Sequence, residues 1–236
     1  MIISEKRRFI FLHNPKAAGT SFRRAIEQYH DWPRKFWGYP SDPYMGMPID
    51  LAHLRLWELA ALAPDLAARI NEFQKLVFVR CPLRRFVAAC FEHFIVFRPE
   101  VRFGALPPEA QRTLLLRFIA QDLTPQKIAA DYRYVHFSPQ RWYVTLGEQR
   151  VVDHIVPVIS RRETFSKAFG ILGIPPSPPE ILNRRASFLF DKLICPDIIA
   201  FVRSFYALDY ELFESIDSVR SALSTALQFE TPVAGS

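Results

Sequence analysis

FIFLHNPKAAGTSF, residues 9–22, is the stretch that decides how the rest of the chain is read. An apolar run, Phe9–Leu12, has the length and composition of a buried strand. It breaks into a small turn punctuated by Pro15 and Gly19, and Thr20 then opens a helix. A strand that feeds a helix start in this way is how an anion site is built. The first helical N–H groups have no partner within the helix, and the positive end of the helix dipole faces whatever lies above the strand. Pro15, Lys16, Ala17, Ala18, Gly19, Thr20 and Ser21 form the candidate loop. Lys16 supplies a mobile positive charge, Gly19 permits close backbone approach, and the Thr20 and Ser21 hydroxyls can donate to phosphate or sulfate oxygens. The usual nucleotide loop ends in Gly-Lys-Ser/Thr, whereas here the lysine precedes the glycine. The alternative is a plain strand–turn–helix connection with a solvated Lys16.

A second segment, KLVFVRCPLRRFVAACFEHF at 75–94, repeats the pattern. Its strand runs into Arg80. Pro82 then takes a first helical position, and Phe86, Val87, Cys90 and Phe94 fall on one face of the helix that follows. In an open parallel sheet both strand ends lie on the edge where ligands bind, so Arg80 could grip a second phosphate bidentately.

The PKxxGTS order resembles the 5′-phosphosulfate loop of sulfotransferases that use 3′-phosphoadenosine 5′-phosphosulfate (PAPS). The second segment resembles the 3′-phosphate segment of the carbohydrate-type, or family 2, branch, in which an FVRDP-like strand end precedes a serine-bearing helix. HFSPQ at 136–140, VVDHIVPV at 151–158, Asn183 and FYALDYELF at 205–213 look like later segments of that family, so the similarity spans about residues 8–214. The chain departs from the pattern at Cys81, where the family has an acid, and at Ala88, which aligns with its phosphate-binding serine. Arg84, Arg85, Arg184 and Arg185 are the candidates to compensate. The resemblance implies an α/β fold, a three-layer P-loop-NTPase-like domain with a central parallel β-sheet flanked by helices. It also implies PAPS as co-substrate, gripped by residues 15–21, Arg80 and Arg184, and a hydroxylated acceptor, carbohydrate first among the candidates.

Composition agrees with one domain. The 236 residues are 50% hydrophobic and 14% aromatic, enough to fill a single sizeable core. Strands are expected near 8–13, 76–80 and 151–156, alternating with helices near 20–29, 54–73 with a break at Pro64, 83–97, 109–121 and 125–131. Ser160 should cap a further helix running through Phe169. Residues 31–50, dense in Pro, Gly and aromatics, read as a loop beside the acceptor's approach, and residues after about 225 as a fraying tail. A net charge of +6 suits an anionic nucleotide or acidic glycan. The basic residues come in scattered pairs and make no nucleic-acid module, so nucleic acid is excluded as a partner. Three cysteines without zinc-type spacing indicate neither a disulfide framework nor a structural metal. The N-terminal apolar run is too short for a signal peptide, and no stretch approaches the ~20 apolar residues of a membrane span. The chain therefore reads as a soluble cytoplasmic protein.

Sulfuryl transfer needs charge neutralised on the departing phosphate oxygen and a base for the acceptor proton, and that list requires no metal. Lys16 is the candidate for the first and His53, in DLAH after the aromatic loop, for the second, at a place resembling the family's catalytic histidine. Asp50 and Glu58 are weaker acid/base alternatives. His13 reads as a loop-shaping residue, His93 and His154 as core residues, and His136 as a contact through its motif. The six histidines show no paired spacing of the HExxH kind. A sulfotransferase and a catalytically weakened nucleotide-binding relative both fit, whereas a Mg²⁺-nucleotide kinase lacks its Lys-Ser/Thr pair.

Overall fold

The computed structural model describes residues 1–40, 48–177, 190–217 and 219. The central sheet runs in the order β1 (Ile2–Ser4), β2 (Phe9–Leu12), β3 (Gln74–Val79) and β6 (His154–Pro157). β2, β3 and β6 are parallel, with Phe11 opposite Leu76 and Leu76 opposite His154. β1 joins β2 antiparallel through Ile2 opposite Phe11, so the sheet has three parallel strands and an antiparallel edge where sequence reasoning expected parallel strands alone. The turn that reverses it, Glu5–Arg8, is charged, and it hides Ile2–Ser4 from any search for an apolar run. A small hairpin, β4 (Thr145–Leu146) with β5 (Gln149–Arg150), precedes β6.

Side-chain alternation along the strands builds two cores, one on each face. Ile3, Ile10, Leu12, Val77 and Val79 face α2 (Leu56–Leu62) and α3 (Pro64–Ala68). Phe9, Phe11, Leu76, Phe78 and Val156 face α1 (Gly19–Ala25) and α7 (Arg161–Leu172). Pro64 sits at the first position of α3, which is why the helical stretch at 54–73 breaks there. A third, Phe-rich cluster forms where α4 (Pro82–Val96) meets α5 (Pro108–Gln121), α6 (Pro125–Ala130), α8 (Phe190–Leu193) and α9 (Pro196–Phe205), with α10 (Ala207–Glu214) following. Ser160 caps α7 by accepting the Glu163 N–H, and Thr124 caps α6 by accepting that of Lys127.

The expected strands at 8–13, 76–80 and 151–156 and the five expected helices all have counterparts at these positions, with ends shifted by a few residues. Arg184, Arg185, Asn183 and the tail after 225 lie outside the described residues, as do 41–47 of the aromatic loop. The rest of that loop has no helix, and its ends close through Leu51 N–H to Gly38 O at 3.1 Å and Ile49 N–H to Pro40 O at 2.9 Å. No helix among the described residues is long and apolar enough to cross a membrane.

Candidate active site at the strand ends

The loop after β2 carries local strain. Lys16 and Ala18 adopt left-handed backbone, at φ 61° and 60°, although neither is glycine. Such conformations cost roughly 1–3 kcal/mol each and collect at functional sites. Ala18 stands at the N-cap of α1 and offers no side-chain bond, so no cap competes for the first amides of that helix. Thr20 and Ala18 keep part of their surface open, while Pro15, Ala17, Gly19 and Ser21 are buried. Gly19 has a different reason from the one its sequence position suggests. A Cβ at residue 19 would overlap the His13 ring, so the glycine makes room for an imidazole from its own chain.

A lattice of buried hydrogen bonds ties this loop to the end of β3. Asn14 Nδ2 donates to Phe78 O at 2.8 Å and to Gln140 Oε1 at 3.0 Å. Gln140 in turn accepts the Arg80 N–H at 2.9 Å and donates to Arg80 O at 2.8 Å. Asp209 on α10 accepts the N–H groups of Gln140 and Arg141 at 2.7 and 3.1 Å, and Tyr206 Oη donates to Phe137 O at 2.8 Å. The HFSPQ and FYALDYELF segments therefore brace the site. Arg85, a candidate phosphate ligand from sequence, is corrected to the same role. It is 1% exposed and donates to the carbonyls of Pro15 at 3.1 Å and Ser138 at 2.6 Å. None of these braces could be read from sequence, because each pairs residues more than 50 positions apart.

Arg80 directly follows β3 at the strand edge. Its Nη1 donates to Lys16 O at 3.2 Å, which brings the two predicted anion-binding residues together. Burial, and then the charges of Arg84, Arg161 and Arg85, lower its pKa, marking a concentration of positive charge at the end of β3. Cys81 is the N-cap of α4 and makes no cap bond, and Ala88 is buried on the same helix, so neither restores what the family pattern would supply there.

His53 closes the other side. Asp50 accepts the Ala52 N–H at 2.9 Å and caps the short helical turn Leu51–His53. His53 Nδ1 lies 2.9 Å from His13 O. A carbonyl only accepts, so Nδ1 carries the proton and the neutral ring presents its lone pair at Nε2. Burial is the largest influence on His53 and lowers its pKa, opposed by Asp50 and the His13 carbonyl and assisted by Lys16. The His13 and His136 rings lie 4.2 and 5.2 Å from the His53 ring, centroid to centroid. Burial and the neighbouring His53 hold both well below the ordinary histidine range. The Nδ1 atoms of His13 and His136 are buried and have no hydrogen-bond partner. His93 is buried against Phe118, Tyr134 and Phe137 and bonds Arg133 O, whereas His154 is only half-buried on the outer strand β6, not a core residue as expected, and its Nε2 lies 2.8 Å from Gln74 Nε2.

Lys16 Nζ is 3.3 Å from Glu92 Oε2, a partner on α4 that sequence reasoning missed. Beside these groups Tyr39 is 60% exposed and packs 5.6 Å from Tyr132, which meets Phe97 at 5.8 Å. The charges of Asp50 and Glu92 join burial in raising the Tyr39 pKa, so this aromatic edge borders the same site.

The sulfotransferase family model aligns with residues 1–214, which includes every residue placed above. No curated protein and no solved structure matches the chain.

Proposed function

Because the chain belongs to the sulfotransferase family, we propose that it moves the sulfuryl group of PAPS to a hydroxyl of a carbohydrate acceptor. In this reading the fold is of the three-layer P-loop type. Pro15–Ser21 cradle the 5′-phosphosulfate, and Arg80 holds the 3′-phosphate with help from Arg184, which lies outside the described residues. The acceptor oxygen attacks sulfur as the bond from sulfur to the phosphate oxygen breaks. His53 Nε2 takes the acceptor's proton, and Lys16 with the loop N–H groups neutralises the charge left on the departing phosphate. No group outside the chain is needed to balance that step.

The observation that carries the reading is convergence. Arg80 bonds the Lys16 carbonyl, and His53 bonds the carbonyl of His13, three residues earlier in the same loop. Two anion-binding groups and a base with a fixed tautomer thus share one strand edge. The exposed ring of Tyr39 near this edge supports a sugar acceptor, since aromatic faces pack against the apolar faces of sugars. Unbridged Cys81, Cys90 and Cys195 suit a reducing compartment, in keeping with a cytoplasmic location.

Ala88 and uncapped Cys81 favour a second reading, a nucleotide-binding relative with weakened catalysis. Incubation with PAPS carrying labelled sulfate and a panel of mono- and oligosaccharides decides between them. Label appearing in a sugar supports the enzyme. PAPS bound tightly with no label moved to any hydroxylated acceptor supports the weakened relative.

A further inference from the structure

The base of the proposed reaction has two neighbours that the reaction does not use. Asp50, His53 and His136 each bring one ligand-type atom to within 4.8 Å of the others. Asp50 is 4% exposed, and its Oδ1 is already oriented by the Ala52 N–H. His53 is oriented by the His13 carbonyl through Nδ1, which leaves Nε2 to act as a ligand. His136 has a buried Nδ1 with no hydrogen-bond partner, an expense that a folded chain usually avoids. We propose that Asp50, His53 and His136 form a site for a divalent transition-metal ion of the zinc class, and that an ion seated there takes His53 out of action.

The donor set fits that class. Two imidazoles and one carboxylate suit zinc and its neighbours in the first transition row, whereas calcium and magnesium want a shell of oxygens. Ligand bonds of about 2.0–2.2 Å put tetrahedral donors roughly 3.4 Å apart, so donors that lie within 4.8 Å of one another need to close by at most about 1.4 Å around an ion. The ligands also meet the usual second requirement. His53 is held by a backbone carbonyl and Asp50 by a backbone amide, the kind of outer support that fixes ring and carboxylate orientation at metal centres. The sequence hides the site because the third ligand lies 83 positions beyond His53. An ion on Nε2 occupies the lone pair that would accept the acceptor's proton, so zinc should act as an inhibitor and not as a cofactor.

The site itself does not depend on the sulfuryl-transfer reading, while the inhibition does, and one set of measurements separates them. The full chain, without nucleotide, is titrated with ZnCl₂ by calorimetry, with Co²⁺ as a spectroscopic probe of ligand geometry. The expected result is one ion per chain, with affinity weakened at least about tenfold in His136→Gln and in Asp50→Asn, and loss of the tetrahedral Co²⁺ absorption in both. Glutamine and asparagine keep size and polarity, and circular dichroism checks that each variant is folded. No binding to the full chain overturns the proposal, as does binding that both folded variants leave unchanged. In the labelled-sulfate assay zinc should suppress transfer, and a chelator should restore it. Zinc that binds through these ligands without slowing transfer overturns the inhibition and removes His53 as the base. Absence of transfer with zinc binding intact counts against the sulfuryl-transfer reading alone.

Discussion

In the proposed reaction Lys16 and His53 have distinct jobs, and their replacement should separate them. Lys16→Ala removes a preorganised charge aimed at the leaving group, so turnover should fall by about 10²–10³-fold. Steady-state kinetics checks this, and unchanged turnover would return Lys16 to a solvated loop residue. His53→Ala removes only the proton acceptor, so turnover should fall by about 10²–10⁴-fold while calorimetric nucleotide affinity stays within about twofold. The pH profile of the intact chain carries the same information. His53 titrates below the ordinary value of 6.5, because burial outweighs Asp50. A base with a lowered pKa stays unprotonated as pH falls past 6.5, so kcat should hold there and drop only at lower pH. An acidic limb centred at or above 6.5 contradicts the assignment. Glu92 makes a different prediction. It competes for Lys16 at 3.3 Å with 41% of its side chain exposed, and such pairs contribute at most about 1 kcal/mol. Glu92→Gln should therefore tighten nucleotide binding by no more than about fivefold, and weaker binding would show that Glu92 holds Lys16 in place instead.

Among the elements, the ends of β2 and β3 depend on one side chain. Gln140 satisfies the Asn14 amide and both backbone groups of Arg80. Gln140→Ala leaves both backbone groups of Arg80 without this partner and reduces Asn14 to its bond with Phe78 O, at about 1–3 kcal/mol for each orphaned group and less than their sum in total. Urea denaturation should show a loss of roughly 3 kcal/mol, with nucleotide affinity falling alongside. Stability within 0.5 kcal/mol of the parent, an order-of-magnitude bound for surface changes, would mean that water replaces the amide. This bracing explains what was legible. Phe9–Leu12, Gln74–Val79 and α4 announce themselves through apolar runs, Pro82 and helical periodicity, and the proposed anion loop through Lys16 and Gly19. Asn14, Arg85, Gln140 and Asp209 carry no local pattern, since their roles exist only once distant segments meet. Ile2–Ser4 is too short, and too close to Glu5–Arg8, to read as a strand. Gly19 reads correctly as a position of close approach, but the group that approaches it, the His13 ring, is set by tertiary structure.

At the scale of the molecule, two cores grip the sheet from opposite faces and a third supports α4 from the side, so the strand ends are held by packing that the site itself does not need. The net charge of +6 draws anions toward such a surface, and Arg80 with Arg84, Arg161 and Arg85 concentrates part of it at the end of β3. The central claim is that this edge binds a nucleotide carrying phosphates at both the 5′ and 3′ positions. Calorimetric titration with 3′-phosphoadenosine 5′-phosphate, ADP and ATP tests it most directly. A 3′-phosphate gripped through charge-assisted hydrogen bonds is worth about 1.5–3 kcal/mol, so the bisphosphate should bind roughly 10- to 100-fold more tightly than ADP, without Mg²⁺. Binding of ATP as tight as that of the bisphosphate, above all if it requires Mg²⁺, would contradict the account.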